Sequence, residues 1–157
     1  TASLATLSNT AAGYATLGGR FRFDVVSSAA TDYALFGYQV PVGYQAVITG
    51  ITISSAVAVA LGLTATVMHW SLGVNASAVS LATVDGAGTW APRRIPLGVQ
   101  AFSLSTAVGN AAEPISIVFP TPIVCDGGRY IHVIVQTPIS SSTGQISGAA
   151  MLNGYFE

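Results

Sequence analysis

The residues able to do chemistry are few and far apart. His69 and His132 are the only histidines and Cys125 is the only cysteine. Nucleophilic catalysis needs a thiol or hydroxyl beside a general base that a third group orients. Cys125, Asp126 and His132 supply the right types, but two adjacent strands would have to present thiol and imidazole side by side in an open cleft. Each histidine instead alternates within an apolar strand, His69 on the face of Val67 and Ser71, His132 on the face of Tyr130 and Ile134. That placement points to structural or solvent-facing roles. The nucleophile elbow, the dinucleotide fingerprint and the phosphate loop are all absent. Asp24, Asp32, Asp85, Glu113, Asp126 and Glu157 stand singly, so no metal-ligand spacing arises. A lone cysteine also excludes an intramolecular disulfide and a Cys-based zinc site. The sequence therefore predicts neither an enzyme nor a cofactor.

Arginine is the remaining chemistry-bearing type. Arg20, Arg22, Arg93, Arg94 and Arg129 are the only basic residues apart from histidine, and lysine is missing altogether. With no basic run they cannot neutralise many phosphates, which argues against nucleic acid as a partner. Their planar guanidinium groups suit bidentate ion pairs at an interface. Arg20, Arg22, Arg93, Arg94 and Arg129, with Trp90 in the glycine-rich Asp85 to Pro92 loop, are the candidate partner contacts. The competing expectation is that the arginines bond Asp24, Glu113 or Asp126 within the chain.

Strands must position these groups. Phe21, Phe23 and Val25 alternate with Arg20, Arg22 and Asp24, the period of a half-buried strand. Further runs follow at Tyr33 to Val40, at Tyr44 to Ser54 with Gly50 as a bulge site, and at Leu63 to Leu72, which groups Met68, Trp70 and Leu72 on one face. Arg93 to Leu104 contains Pro96 and Gly98, which make it an edge strand or a bulged one. Ile115 to Cys125 and Arg129 to Thr137 flank Asp126-Gly127-Gly128, a tight-hairpin signal, and Gln145 to Phe156 closes the series. Apart from a short turn expected at Ala76 to Ala82, nothing carries a capped helical repeat. The expected fold is all-β, an antiparallel sandwich of eight strands in a jelly roll over residues 20–157. Residues 1–19, small, polar and glycine-containing, are expected to form an N-terminal arm that is flexible or bound to a partner.

Composition adds the most informative number. Of 157 residues 51% are hydrophobic and 7% charged, with a net charge of −1, against roughly 25% charged in an ordinary soluble domain. Few charges promote association. A surface of Ser, Thr, Ala, Gly, Asn and Gln can enter an interface without the desolvation penalty of isolated ions. Protein neighbours are therefore expected to cover it. The longest apolar stretch, Ala56 to Met68, is broken by Gly62, Thr64 and Thr66 and falls short of the roughly 20 residues of a spanning helix. The N-terminus lacks the basic and apolar regions of a secretory signal, so synthesis in the cytoplasm is expected. Asn75-Ala76-Ser77 matches a glycosylation sequon by chance.

The run Val40 to Ile53 (VPVGYQAVITGITI) resembles a strand start common in small jelly-roll proteins of tailed bacteriophages, and the ending Leu152 to Glu157 (LNGYFE) is similar to theirs. Those are capsid decoration, or cement, proteins. The resemblance implies a structural virion protein made in the host cytoplasm, sitting on the outer surface of the capsid. It would bind the major capsid protein and itself as a dimer or trimer. It carries no functional residue with it. Two other readings compete: a carbohydrate- or receptor-binding sandwich stacking sugars on exposed Trp70, Trp90, Tyr38 and Tyr44, and an eight-stranded outer-membrane barrel, for which the aromatic girdles and charged lumen are missing.

Overall fold

The computed structural model describes residues 18–25, 32–62, 66–75, 93–102, 107–137 and 142–157. They form eight strands: β1 (Gly18–Val25), β2 (Asp32–Gln39), β3 (Gln45–Val59), β4 (Thr66–Asn75), β5 (Arg93–Phe102), β6 (Ile115–Asp126), β7 (Tyr130–Gln136) and β8 (Gly144–Phe156). There is no helix among the described residues. The arm apart from Gly18 and Gly19, Trp90, and the turn expected at Ala76 to Ala82 lie outside them.

Two four-stranded antiparallel sheets result, ordered β1-β8-β3-β6 and β2-β7-β4-β5. Consecutive strands exchange sheets at every connection except β4 to β5, which is the jelly-roll path of a β-sandwich. Among the described residues the strands form two separate four-stranded sheets rather than one closed barrel.

The alternation read from β1 is the reason it folds as it does. Phe21, Phe23 and Val25 are buried while Arg20 and Arg22 are exposed. The two phenylalanines reach across to β4, with Phe21 5.4 Å and Phe23 6.4 Å from the ring of Trp70. Tyr33 of β2 stacks on Phe23 at 5.4 Å. Each buried ring contributes about 3 kcal/mol of transfer free energy, so this cluster fastens the β1 end of one sheet to the other. Gly148 makes room for it: a Cβ there would stand 2.7 Å from the Phe21 ring and 1.9 Å from the Ser54 carbonyl oxygen. No residue but glycine can occupy that cross-strand position opposite Phe21 without moving backbone.

A buried polar clasp holds the sheets together elsewhere. Gln100 of β5 accepts hydrogen bonds from the Ser55 hydroxyl (2.6 Å) and the Trp70 indole N–H (3.0 Å) on one oxygen. Its amide nitrogen donates to the carbonyls of Ile53 (3.4 Å) and Glu113 (3.0 Å). Ser55 and Ile53 belong to β3, so the amide spans the sandwich with its hydrogen-bonding capacity filled.

Three local expectations meet the structure differently. The ladder shifts between Ile48 and Gly50, as a bulge at that glycine requires. β5 is an edge strand whose register slips opposite Trp70 and Ser71, where Pro96 and Gly98 lie. The Asp126-Gly127-Gly128 signal does give a tight turn, with the Arg129 N–H bonded to the Asp126 carbonyl at 3.2 Å and Gly128 at φ 81°. It is not a hairpin, however, because β6 and β7 enter different sheets. The chain end at the turn is captured instead by the segment after β2, through Gly128 N–H to Val40 O at 2.8 Å and Val40 N–H to Arg129 O at 2.9 Å.

Candidate interaction surface

The fold separates the groups that could have formed a catalytic site. Cys125 points into the core from β6, while His132 belongs to β7 in the opposite sheet. Burial pushes the Cys125 thiol above its ordinary pKa, the Asp126 carboxylate adds to this, and Arg129 partly opposes it. A raised thiol is a poor nucleophile at neutral pH. His132 is fully buried on β7, whose Ile131, Val133 and Val135 side chains fill the core from its other face. Its ring stacks on Tyr130 at 6.4 Å, and its ladder partners on both sides are Gly37 and Gly73. His69 is exposed on the outer face of β4, in line with Val67. No group of three His, Cys, Asp or Glu side chains among the described residues could hold a metal ion.

The arginines divide between two places. Arg20 and Arg22 project from the outer face of β1. The Arg22 guanidinium donates to the side-chain oxygen of Gln145, whose amide nitrogen donates to Asp24 at 2.8 Å. Arg22 and Asp24 are thus linked through a neutral side chain. Arg129 is exposed at the β6–β7 turn, and Arg93 opens β5 opposite Val74, which in turn lies opposite Ile131 near the start of β7. Arg93, Arg94 and Arg129 therefore share one end of the sandwich, away from Arg20 and Arg22. The side chains of Arg93 and Arg94 lie outside the described residues.

Between these arginines lies a broad neutral face. On the outside of the β1-β8-β3-β6 sheet, Gln145, Ser147, Ala149, Met151 and Asn153 of β8 stand beside Thr52, Ser54 and Ala56 of β3. Ser116 and Val118 of β6 continue the same face. No charged residue occurs within β3 or β8, and β6 carries none before Asp126. A shallow depression of about 370 Å³ crosses the face, lined by Gly19, Arg20, Thr52, Ser54, Ala149 and Met151. Val118 (82% exposed), Val124 and Met151 (54% each) and Tyr155 (51%) offer apolar area around it. Sequence reasoning had not singled these out. The signal was there in β6, where Val118 and Val124 fall out of phase with Ile117 and Ile123, which pack on the core.

The aromatic residues considered for sugar stacking are redistributed by the fold. Trp70 (1% exposed) and Tyr38 (3%) belong to the core, which removes them from any binding face, and Tyr44 (55%) stands exposed in the β2–β3 turn.

No protein-family model matches the sequence, and no curated protein matches it. Among solved structures the chain is similar to a CocE/NonD family hydrolase from Staphylococcus aureus, at 8% identity and TM-score 0.44, covering 90% of this chain and 34% of the hydrolase. It is also similar to a picornavirus capsid, that of equine rhinitis A virus, at 10% identity and TM-score 0.38, covering 87% of this chain and 69% of that one. A third likeness is to infectious bursal disease virus, at 12% identity and TM-score 0.27, over 89% of this chain and 39% of that one. The chain spans about a third of the length of the hydrolase. Likenesses this distant carry no argument about what the chain does.

Proposed function

We propose that this chain is a non-enzymatic structural component of a virion, decorating and cementing the outside of a bacteriophage capsid by binding adjacent major capsid proteins as an oligomer. The observation that carries the reading is the neutral outer face of the β1-β8-β3-β6 sheet. Its β8 and β3 rows hold no charge over their whole length, so covering it strands no isolated ion. Exposed Met151, Val118, Val124 and Tyr155 supply the apolar area that an interface core needs. Rigid sheets present such a face with little ordering cost on binding. A shell offers many equivalent sites, and modest contacts of roughly 800 Å² per partner then sum to a large stabilisation.

The test is cosedimentation of the purified protein with mature phage shells stripped of their decoration proteins, followed by image reconstruction. Saturable binding at one class of symmetry-related sites, with raised resistance of the shell to heat, is the expected result. Failure to bind any shell, together with selective binding on a glycan array, would replace this reading with a carbohydrate- or receptor-binding sandwich.

A further inference from the structure

We propose that Asn153–Gly154 of β8 is a self-modifying site, at which the asparagine side chain closes onto the backbone and reopens as a carboxylate. The chemistry stands apart from the proposed function; only its consequence for shell binding rests on that reading.

The reaction needs asparagine followed by a residue without a Cβ, and the fold enforces that neighbour. A Cβ at position 154 would collide with the Val47 carbonyl oxygen and stand 3.1 Å from the Ile48 Cα. Packing against β3 therefore requires glycine there, and its lack of a side chain leaves the approach to the preceding amide unshielded. Asn75 and Asn110 are each followed by alanine and Asn9 by threonine, so Asn153 is the only asparagine in this setting.

The surroundings favour ring closure. Both ladders of β3 shift between Ile48 and Gly50, so the bulge lies opposite the Asn153–Gly154 peptide. Asn153 is exposed, and its amide nitrogen lies over Gly50, within 3.6 Å of where a Cβ would stand. That Cβ cannot be added, because it would come 2.5 Å from the Ile117 carbonyl oxygen, so the amide stays uncovered from this side as well. Gln45 and Glu157 exchange reciprocal backbone bonds, which gives the odd-numbered residues at this end of β8 the bonds to β3 and turns the Gly154 N–H away from it. The Thr49 hydroxyl donates to the Asn153 carbonyl at 3.2 Å. That oxygen takes up the negative charge when the Gly154 nitrogen gives up its proton, so the hydroxyl stabilises the attacking form.

The step balances with water alone. The Gly154 nitrogen, losing its proton, bonds to the Asn153 Cγ; the Cγ–Nδ2 bond breaks and ammonia leaves with that proton, closing a succinimide. Water then opens the ring at one carbonyl or the other, giving aspartate or isoaspartate, and nothing is oxidised or reduced. Either product adds a negative charge to a chain of net charge −1, on the neutral outer face in the row of Gly50 and Val118. Burying an ion without a partner is costly, so the face loses affinity for a protein neighbour as the chain ages.

The experiment ages the folded full chain at mildly alkaline pH and follows it by peptide mass spectrometry. Cleavage at arginine releases Tyr130–Glu157, whose only asparagine is Asn153, and Ile95–Arg129, whose only asparagine is Asn110. The mass gain from amide to acid should appear in the first peptide about tenfold or more faster than in the second, and enzymatic methylation should detect isoaspartate in it. Asn153→Gln, which keeps a neutral amide but would have to close a larger ring, should abolish the gain, and Thr49→Val should slow it about twofold to tenfold. In the cosedimentation assay Asn153→Asp should bind shells more weakly than Asn153→Gln. A Tyr130–Glu157 peptide that ages no faster than Ile95–Arg129, or a mass gain that persists in Asn153→Gln, would overturn the site. Equal shell binding by the two variants would overturn its consequence for assembly, whereas shells that bind neither variant nor the wild type would overturn the proposed function and leave the mass gain standing.

Discussion

Replacing Gln100 by leucine should cost this domain about 4 kcal/mol, although leucine is apolar, of similar volume and would occupy a site that is 2% exposed. The wild-type amide answers four groups at once: the Ser55 hydroxyl, the Trp70 indole N–H and the carbonyls of Ile53 and Glu113. An abandoned buried donor or acceptor costs about 1–3 kcal/mol. The Ser55 hydroxyl can rotate to another acceptor and the Glu113 carbonyl lies beside an exposed side chain, so the indole N–H and the Ile53 carbonyl carry most of the loss. For a domain of this length about 4 kcal/mol lowers Tm by roughly 8–16 °C. Urea unfolding followed by tryptophan fluorescence and circular dichroism measures it, and an unchanged m-value would establish that the native state itself is weakened. Adding Trp70→Phe to the leucine variant removes one stranded donor, so the double variant should lose less than the sum of the singles. A loss below about 1 kcal/mol for Gln100→Leu would refute the claim that this amide clasps the sheets.

Gly148→Ala should be strongly destabilising, by about 2 kcal/mol or more, because the new methyl meets the Ser54 carbonyl and the Phe21 ring; chemical unfolding checks it. Burial raises the pKa of both Cys125 and Tyr38 above their ordinary values. Both groups bind their protons more tightly folded than unfolded, so the stability they contribute is full below the ordinary thiol pKa and is lost as pH climbs from about 8 to 11. Tm measured across that range should fall, and Tyr38→Phe should flatten the upper part of the decline. Among the histidines, His69→Ala should change stability by less than about 0.5 kcal/mol, whereas His132→Ala should cost about 2 kcal/mol through the space it empties. Shell binding by either folded variant should match the wild type, and its loss with fold and association intact would reveal a chemical role.

Local chemistry in the sequence determined which residues face inward but not where every strand stops, since β3 runs on to Val59 and β4 to Asn75, past the ends expected at Ser54 and Leu72. The two-residue period of Phe21, Phe23 and Val25, and of Met68, Trp70 and Leu72, could be read directly, because pleating sends alternate side chains to opposite faces. Pro96 and Gly98 marked an edge or a bulged strand because proline cannot donate to a ladder, and β5 is both. The scarcity of charge likewise forecast a neutral surface before any face was known. What pairs with what was decided only in three dimensions. Backbone hydrogen bonds carry no side-chain information, so nothing local told that the turn at Gly127 and Gly128 would send β6 and β7 into different sheets. That partition parted Cys125 from His132 and put Trp70 under Phe21 and Phe23 rather than on the surface. It also set Gln100 against β3 and put β1 at one side of its sheet, beside β8. Long-range packing made these choices, because only the assembled sandwich buries the aromatic faces of both sheets at once.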